Sequence, residues 1–236
     1  MSKATPARPL PARPLPAPTR RERRRQGRSD DFLDAAMAIV ASEGLEALTV
    51  ARLASDVDAA VGALYRYFPG KSELVGALQA RALIQLVEEM RAAAAPARPP
   101  LVRVLSVLVP LATLAVRDPP RHRLLDAALS SPDLVLDEVR ARAVEAVLRE
   151  ALAFVQEALH QAARTGALSP GNAAVRTRVL WAVVHGTGHL RKRDRLEDKA
   201  TAHAVVERAA LIAVLVGFGA TPRAVAAALK RAWPSR

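Results

Sequence analysis

Residues 58–71, with the sequence DAAVGALYRYFPGK, decide the fold of this chain. This short stretch holds three of the eight aromatic residues in the whole sequence. Pro69 and Gly70 cannot continue a helix, because proline lacks the amide hydrogen and glycine favours turns. The sequence therefore predicts a short helix over about 59–67 that ends before them.

The predicted short helix has one apolar face and one face for a partner. Leu64 and Phe68 lie four residues apart on the side expected to pack on a core. Tyr65 and Tyr67 are expected to point away from that core. Exposed tyrosines on a short helix, followed by Lys71 at the next helix start, suit contact with a phosphate backbone.

Two predicted helices precede this one. The first is expected to begin at the capping residue Ser29 and to end at Gly44. Thr49 is expected to cap a second, short helix over 50–56, and a tight turn at Asp58 follows it. Aspartate enters the left-handed conformation at modest cost, so the turn is feasible without glycine. Two short helices joined by a tight turn behind a longer helix form a helix-turn-helix unit.

Residues about 28–75 resemble the DNA-binding domain of the tetracycline-repressor-like (TetR) family of bacterial regulators. The resemblance is carried by FLDAA at 32–36, EG at 43–44, LTV at 48–50, LA at 53–54, GALYRYF at 62–68 and KSEL at 71–74. It implies that 59–67 is the recognition helix of a three-helix domain. It also implies double-stranded DNA as a partner.

The resemblance assigns DNA contacts residue by residue. It implies phosphate contacts from Thr49, Arg52, Tyr65, Tyr67 and Lys71, and base reading from Ala60, Val61, Gly62 and Ala63. The chain departs from the usual pattern at Asp58 (commonly glycine), Ala60 (commonly serine or threonine) and Val61 (often basic or polar). Few hydrogen bonds to base edges remain, so methyl contacts to thymine and DNA shape are expected to carry specificity.

Charge is divided unevenly along the chain, whose formal net charge is +12. Residues 1–28 hold nine lysines or arginines against Glu22, whereas residues 29–75 hold three basic residues against eight acidic ones. Residues 1–28 are therefore expected to form a disordered, basic, Pro/Arg-rich arm. Either the arm orders along a DNA groove, or it is a solvated tail without a role.

The fold class predicted for the chain is all-α. Behind a helix-turn-helix domain over 29–75, residues 76–236 are expected to form a helical bundle for ligand binding and dimerisation. After a connecting helix over about 71–95, helices are predicted at about 101–116, 121–129, 133–165, 173–190, 200–217 and 222–232. Family members usually dimerise through their last two long helices, here about 173–190 and 200–217, which carry small and apolar faces.

An apolar cluster in the bundle is a candidate pocket for a small, largely apolar effector. The candidate lining residues are Leu108, Leu125, Leu129, Leu148, Trp181 and His185. The same leucines could equally fill a core, and Trp181 could be core rather than ligand platform. The segment LWAVVHG at 180–186 resembles the Trp-His-Gly motif of one class of TetR-family C-terminal domains.

Metal, cofactor and enzyme chemistry find little support in the sequence. His185 and His189 have metal-ligand spacing, but no carboxylate stands at a matching offset on their helix, so packing or polar lining is preferred to a metal site. No cofactor is predicted. The sequence contains no cysteine and no nucleophile elbow, Gly-rich phosphate loop or paired-carboxylate motif, so no enzyme activity is predicted. The apolar runs 104–116 and 209–220 fall short of the length that spans a membrane.

The sequence thus predicts a cytoplasmic, homodimeric, ligand-responsive transcriptional regulator, a repressor rather than an activator, acting on a palindromic operator. The alternative is a helical dimer that binds a small molecule or a protein and has lost specific DNA recognition.

Overall fold

A computed structural model describes residues 19–95, 98–130, 138–194, 196 and 198–233. Over these residues the chain forms α1 (Arg20–Glu43), α2 (Val50–Asp56), α3 (Val61–Tyr65), α4 (Lys71–Ala93), α5 (Pro100–Arg117), α6 (Pro119–Ser130), α7 (Glu138–Arg164), α8 (Ala173–Leu190), α9 (His203–Gly217) and α10 (Pro222–Ala232). Two short 3-10 helices, Arg191–Arg193 and Lys199–Thr201, lie between α8 and α9. The predicted all-α fold is confirmed. The predicted start of the long helix at 133 lies outside the described residues.

Helix α1 begins nine residues earlier than predicted, at Arg20 rather than at Ser29. Arginine is a good helix former, and the Arg23 amide already donates to the Thr19 carbonyl oxygen over 3.0 Å. Ser29 therefore lies inside the helix and does not cap it. The basic part of the predicted disordered arm, from Arg20 onward, is helical, and residues 1–18 lie outside the described residues.

The turn between α2 and α3 depends on Asp58, whose φ is +46°. It is the one described residue other than glycine with a positive φ. The Ala59 amide closes the turn by donating to the Ala54 carbonyl oxygen over 3.0 Å. The prediction that aspartate would hold this turn in the left-handed conformation is confirmed.

Helix α3 is shorter than the predicted 59–67. Ala60 stands at its N-cap position and offers no side-chain acceptor, so α3 starts only at Val61. At the other end the amides of Tyr67 and Phe68 both donate to the Leu64 carbonyl oxygen, each over 2.8 Å, which ends the helix.

The three N-terminal helices pack around a small core that α4 completes. Phe32, Ile39, Leu53, Leu64 and Leu74 are each at most 5% exposed. The core continues without a break along α4 into the bundle, where α4 packs against α5, α6 and α7. One helix thus belongs to both parts of the molecule.

Two apolar segments are longer than predicted. Helix α5 continues through Pro110 and has 18 residues with a mean hydropathy of 1.7. The segment Lys199–Gly217 has 19 residues with a mean hydropathy of 1.5. By length and composition alone, both could cross a membrane, which corrects the expectation from the sequence. Half of α5 is buried among the helices around it, as a core helix would be. Only 22% of Lys199–Gly217 is buried, so α9 keeps an uncovered apolar face.

Candidate nucleic-acid interface and cavity

The outer face of α3 is exposed and mostly apolar. Val61 and Tyr65 follow each other by one helical turn and are 41% and 50% exposed. Ala60 and Gly62 are also exposed, and Ala63 is half-buried. Within α3, the Tyr65 hydroxyl is the only side-chain hydrogen-bonding group on this face, which agrees with the expected scarcity of base-reading groups.

Thr49 and Arg52 lie in the first turn of α2, and both already have partners. The Thr49 Oγ1 accepts a hydrogen bond from the Arg52 amide over 3.0 Å, which confirms the predicted cap. The Arg52 guanidinium lies 2.6 Å from Glu43 and 3.2 Å from Asp56. Hydrogen bonds to Glu43 first, and then to Asp56, raise the pKa of Arg52. A phosphate would have to compete with two carboxylates for this side chain.

Tyr67 does not point away from the core, which corrects the prediction. Its ring packs edge-to-face on Phe32, with 5.2 Å between centroids and 81° between planes, and it is half-buried. The Arg25 guanidinium lies 5.8 Å from the centroid of the same ring. Both neighbours belong to α1, and Arg25 lies in the part of α1 that begins earlier than predicted, so α3 spacing alone could not place the ring.

Lys71 starts α4 beside the start of α2. Its Nζ donates to the Glu46 carbonyl oxygen over 3.0 Å and lies 3.6 Å from the Glu46 carboxylate. That carboxylate is almost fully exposed, so this pair is readily exchanged for a phosphate. Lys71 therefore lies beside the loop that leads to Thr49 and the start of α2.

The basic start of α1 lies beside the end of α3. Arg25 Nη2 donates to the Arg66 carbonyl oxygen over 3.4 Å. The arginines of this first part of α1 are exposed: Arg20, Arg21, Arg23, Arg24, Arg25 and Arg28. A cationic surface thus borders the acidic helix-turn-helix domain. Sequence reasoning found the charge but missed that a helix holds it there.

A cavity of about 240 Å³ lies in the bundle, enclosed by α4 to α9. Its walls are largely apolar and include Leu83, Leu86, Met90, Leu111 and Leu152. Of the predicted pocket residues, Leu125, Trp181 and His185 line it. Leu108 does not, because it is a filled core position at 2% exposure. The side chains of Leu129 and Leu148 lie outside the described residues.

One edge of the cavity is polar. His122, Asp126, His185 and Arg191 come together there from α6, α8 and the segment after α8. Burial lowers the pKa of both histidines, and the neighbouring charges modify it further. Both imidazoles are therefore neutral at neutral pH. Asp126 was missed by sequence reasoning, since only the tertiary fold brings α6 to α8.

Helix α4 connects the cavity to the helix-turn-helix domain. Leu83 and Met90 line the cavity, whereas Leu74 and Leu78 are buried further towards α1 to α3. On another side of α4, Arg81 donates to the Asp30 carbonyl oxygen of α1 over 2.9 Å. A molecule in the cavity would therefore touch the helix that positions α3.

Helices α8 and α9 pack together and expose small residues on their outer faces. Ala182 and Gly186 on α8, and Ala209 and Ala213 on α9, are exposed. Val205, also on α9, is 49% exposed. Small exposed residues on two adjacent helices allow the close approach of another helix pair.

Comparison with known proteins agrees with this geometry. Residues 32–78 match the model of the bacterial regulatory proteins, tetR family. The HTH-type transcriptional repressor KstR of Rhodococcus jostii (strain RHA1) is 34% identical over 116 residues, which cover 49% of this chain and 52% of that protein. KstR of Mycobacterium tuberculosis (strain ATCC 25618 / H37Rv) is 47% identical over 55 residues, 23% of each chain. The matches thus span about half and about a quarter of these relatives.

Solved structures share the fold over most of the chain. FadR from Bacillus subtilis, in complex with stearoyl-CoA, aligns with a TM-score of 0.62 and 17% identity over 80% of this chain and 98% of its own. SmeT, the repressor of the Stenotrophomonas maltophilia multidrug efflux pump SmeDEF, aligns with a TM-score of 0.60 and 23% identity over 80% of this chain and 89% of its own. Helices α1 to α3 form a helix-turn-helix domain, and the family model matches this part of the chain. Through residues 32–78 the chain is similar to the tetR family of bacterial regulatory proteins, and its likeness to the solved structures is one of fold.

Proposed function

We propose that this protein is a cytoplasmic transcriptional repressor that binds an operator as a homodimer and releases it when a small, largely apolar molecule occupies the cavity. One observation carries the proposal: α4 lines the cavity and also completes the core on which α3 is mounted. A ligand acts only through its different affinities for two conformations, and α4 is the element that distinguishes them.

DNA contact is assigned to the surface formed by the starts of α2 and α4 and the outer face of α3. Tyr65 and Lys71 are its accessible phosphate contacts, with Thr49 beside them and Tyr67 behind, against α1. Arg52 also binds a phosphate once its guanidinium has released one of its two carboxylate partners. The base edges are contacted by Val61, together with Ala60, Gly62 and Ala63. Val61 is exposed and apolar, so the methyl groups of thymine are suitable contacts for it.

The homodimer is assigned to α8 and α9 of two copies, packed as four helices. The support is the uncovered apolar face of α9 and the small residues exposed beside it. Two α3 helices would then read half-sites about 34–36 Å apart or a multiple of that spacing. Ala213→Glu should convert the dimer to a monomer in analytical ultracentrifugation, whereas Ala226→Glu, on the exposed side of α10, should not. A monomeric wild-type chain would refute this assignment.

The cavity can be tested with an apolar fluorescent probe, 1-anilinonaphthalene-8-sulfonate. Ala115 lines the cavity, so Ala115→Phe should fill part of its volume and weaken probe binding several-fold. Ala38→Phe, at an exposed position on α1, is the matched control. Equal binding by the two variants would place the probe elsewhere.

A second candidate function follows from the scarcity of polar groups on α3. In this alternative, the protein is a helical dimer that binds a small molecule or a protein and has lost specific DNA recognition. A gel shift with the DNA upstream of its own gene distinguishes the two. A complex that survives excess unrelated DNA at moderate salt supports the repressor, and absence of a specific complex supports the alternative.

A further inference from the structure

Three potential metal ligands from two helices meet at the polar edge of the cavity. Asp126 comes from α6, and His185 and His189 come from α8. Their ligand atoms, one carboxylate oxygen and two imidazole nitrogens, all lie within 4.8 Å of one another. The two Nε2 atoms are 3.3 Å apart, and His189 Nε2 is 3.6 Å from Asp126 Oδ1.

These separations suit a shared metal ion. Ligands at about 2.0–2.1 Å from a zinc ion, with tetrahedral angles between them, are about 3.3 Å from each other. The His185–His189 separation already has this value, and the His189–Asp126 separation is close to it. A rotation of the Asp126 side chain, which is 24% exposed, can adjust the remaining distance.

We propose that Asp126, His185 and His189 bind a divalent transition-metal ion, for which zinc is the best match to two imidazoles and one carboxylate. The sequence alone predicts no metal site, because the helix that carries the histidines has no carboxylate at a matching offset, and Asp126 comes from another helix. Three protein ligands leave a coordination position open, as in catalytic zinc sites. Since Asp126 and His185 line the cavity, water or a donor atom of a bound molecule can take that position.

The histidine rings are held in place before any ion binds. The Trp181 ring stacks on the His185 ring with 4.9 Å between centroids and 8° between planes. The His189 ring meets His185 edge-on, at 4.8 Å and 89°. A spacing of four residues on α8 places both rings on one side of the helix. Such preorganisation reduces the ordering that metal binding requires.

The local charges also agree with cation binding. Asp126 supplies a negative charge. Arg191 lines the same edge, and its positive charge repels a cation. An anionic group in the open coordination position would offset this repulsion.

Cobalt titration of the full-length, untagged chain tests the proposal. Co²⁺ bound by these ligands should give visible d–d absorption that saturates at one ion per chain and is displaced by Zn²⁺. His189→Gln and Asp126→Asn should each weaken Co²⁺ binding by at least about 10–100-fold. His160→Gln is the matched control, because His160 is exposed on α7 and is not among the three ligands.

Tryptophan fluorescence locates the ion independently. Bound Co²⁺ should quench Trp181, which stacks on a ligand, and Trp181→Phe should lose most of the quenching while keeping the absorption band. No saturable band, or a band that His189→Gln leaves unchanged, would overturn the proposal. His189 is 41% exposed, so its replacement should leave the circular dichroism melt unchanged. The titration uses no DNA, so its outcome is separate from that of the proposed repressor function.

Discussion

Arg81 on α4 donates a hydrogen bond from Nη1 to the carbonyl oxygen of Asp30 on α1, over 2.9 Å. The same guanidinium pairs with Asp34. These contacts connect the helix that lines the cavity to the first helix of the helix-turn-helix domain. The proposed response to a ligand depends on this connection.

Replacing Arg81 should loosen that connection. Arg81→Met removes hydrogen bonds from a charged group that is 29% exposed, and should lower the free energy of unfolding by about 1–2 kcal/mol. Arg164→Met is the matched control, because its pair with Glu157 is exposed on both sides and should contribute about 0–1 kcal/mol. Urea denaturation measures both. Equal losses in the two variants would show that the α1–α4 contact contributes no more than a surface pair.

The left-handed turn at Asp58 gives a second prediction. Asp58→Val places a β-branched residue at a φ of +46° and should destabilise the chain by about 1–2 kcal/mol. Asp58→Gly should be neutral or stabilising, since glycine adopts this conformation freely. Thermal unfolding followed by circular dichroism compares them. A valine variant as stable as the glycine variant would contradict this explanation of the turn.

Glu89 links α4 to α5 and α6 and predicts sensitivity to acid. Burial would raise its pKa, but hydrogen bonds from Arg117 and Arg121 outweigh burial and hold the pKa of Glu89 below its ordinary value. Because the pKa is lowered in the folded state, the stabilisation is present above the ordinary value and is lost as pH falls through the folded pKa.

Glu89→Gln should therefore destabilise the chain at neutral pH, by about 1–3 kcal/mol, because it leaves the buried Arg121 guanidinium without this carboxylate. The variant should also lose less stability than the wild type between about pH 7 and pH 3. Glu157→Gln, in an exposed pair, is the control. Parallel pH profiles for the wild type and Glu89→Gln would refute the prediction.

The basic segment of α1 should supply much of the electrostatic affinity for DNA. Replacing Arg20, Arg21 and Arg24 with glutamine removes three positive charges but preserves the helix, because glutamine is also a good helix former. If all three bind phosphates, the slope of log K against log salt should fall by about 0.9 for each arginine replaced. Arg223→Gln, at an exposed position on α10, should leave the slope unchanged. An unchanged slope in the triple variant would mean that α1 does not touch DNA. Deleting residues 1–18 separately measures the contribution of the preceding segment.

Local signals in the sequence predicted much of the fold. The helix-turn-helix order, the Thr49 cap, the Asp58 turn and the bounds of α2, α8 and α10 follow from caps, turn residues and apolar spacing, which act over a few residues. The start of α1 was missed because Ser29 and the acidic residues after it form a good N-terminal pattern, yet the arginines before them also favour a helix.

The remaining errors concern tertiary contacts. Tyr67 was assigned to the outer face because α3 spacing alone does not show that Phe32 and Arg25 of α1 enclose its ring. Asp126 was not connected with His185, since the two lie on helices far apart in sequence. Leu108 was assigned to the cavity wall, but apolar spacing alone does not distinguish a cavity wall from a filled core.

The central claim is that this protein recognises DNA through the exposed face of α3. Fluorescence anisotropy with labelled DNA from upstream of its own gene, against a scrambled duplex of equal length, tests that claim most directly. We expect preference for the upstream DNA and at least a tenfold loss of affinity (about 1.4 kcal/mol) for Tyr65→Ala. Because Tyr65 is 50% exposed, the melting temperature should not change. Equal affinity for both duplexes, or a Tyr65→Ala variant that binds like the wild type, would contradict the claim.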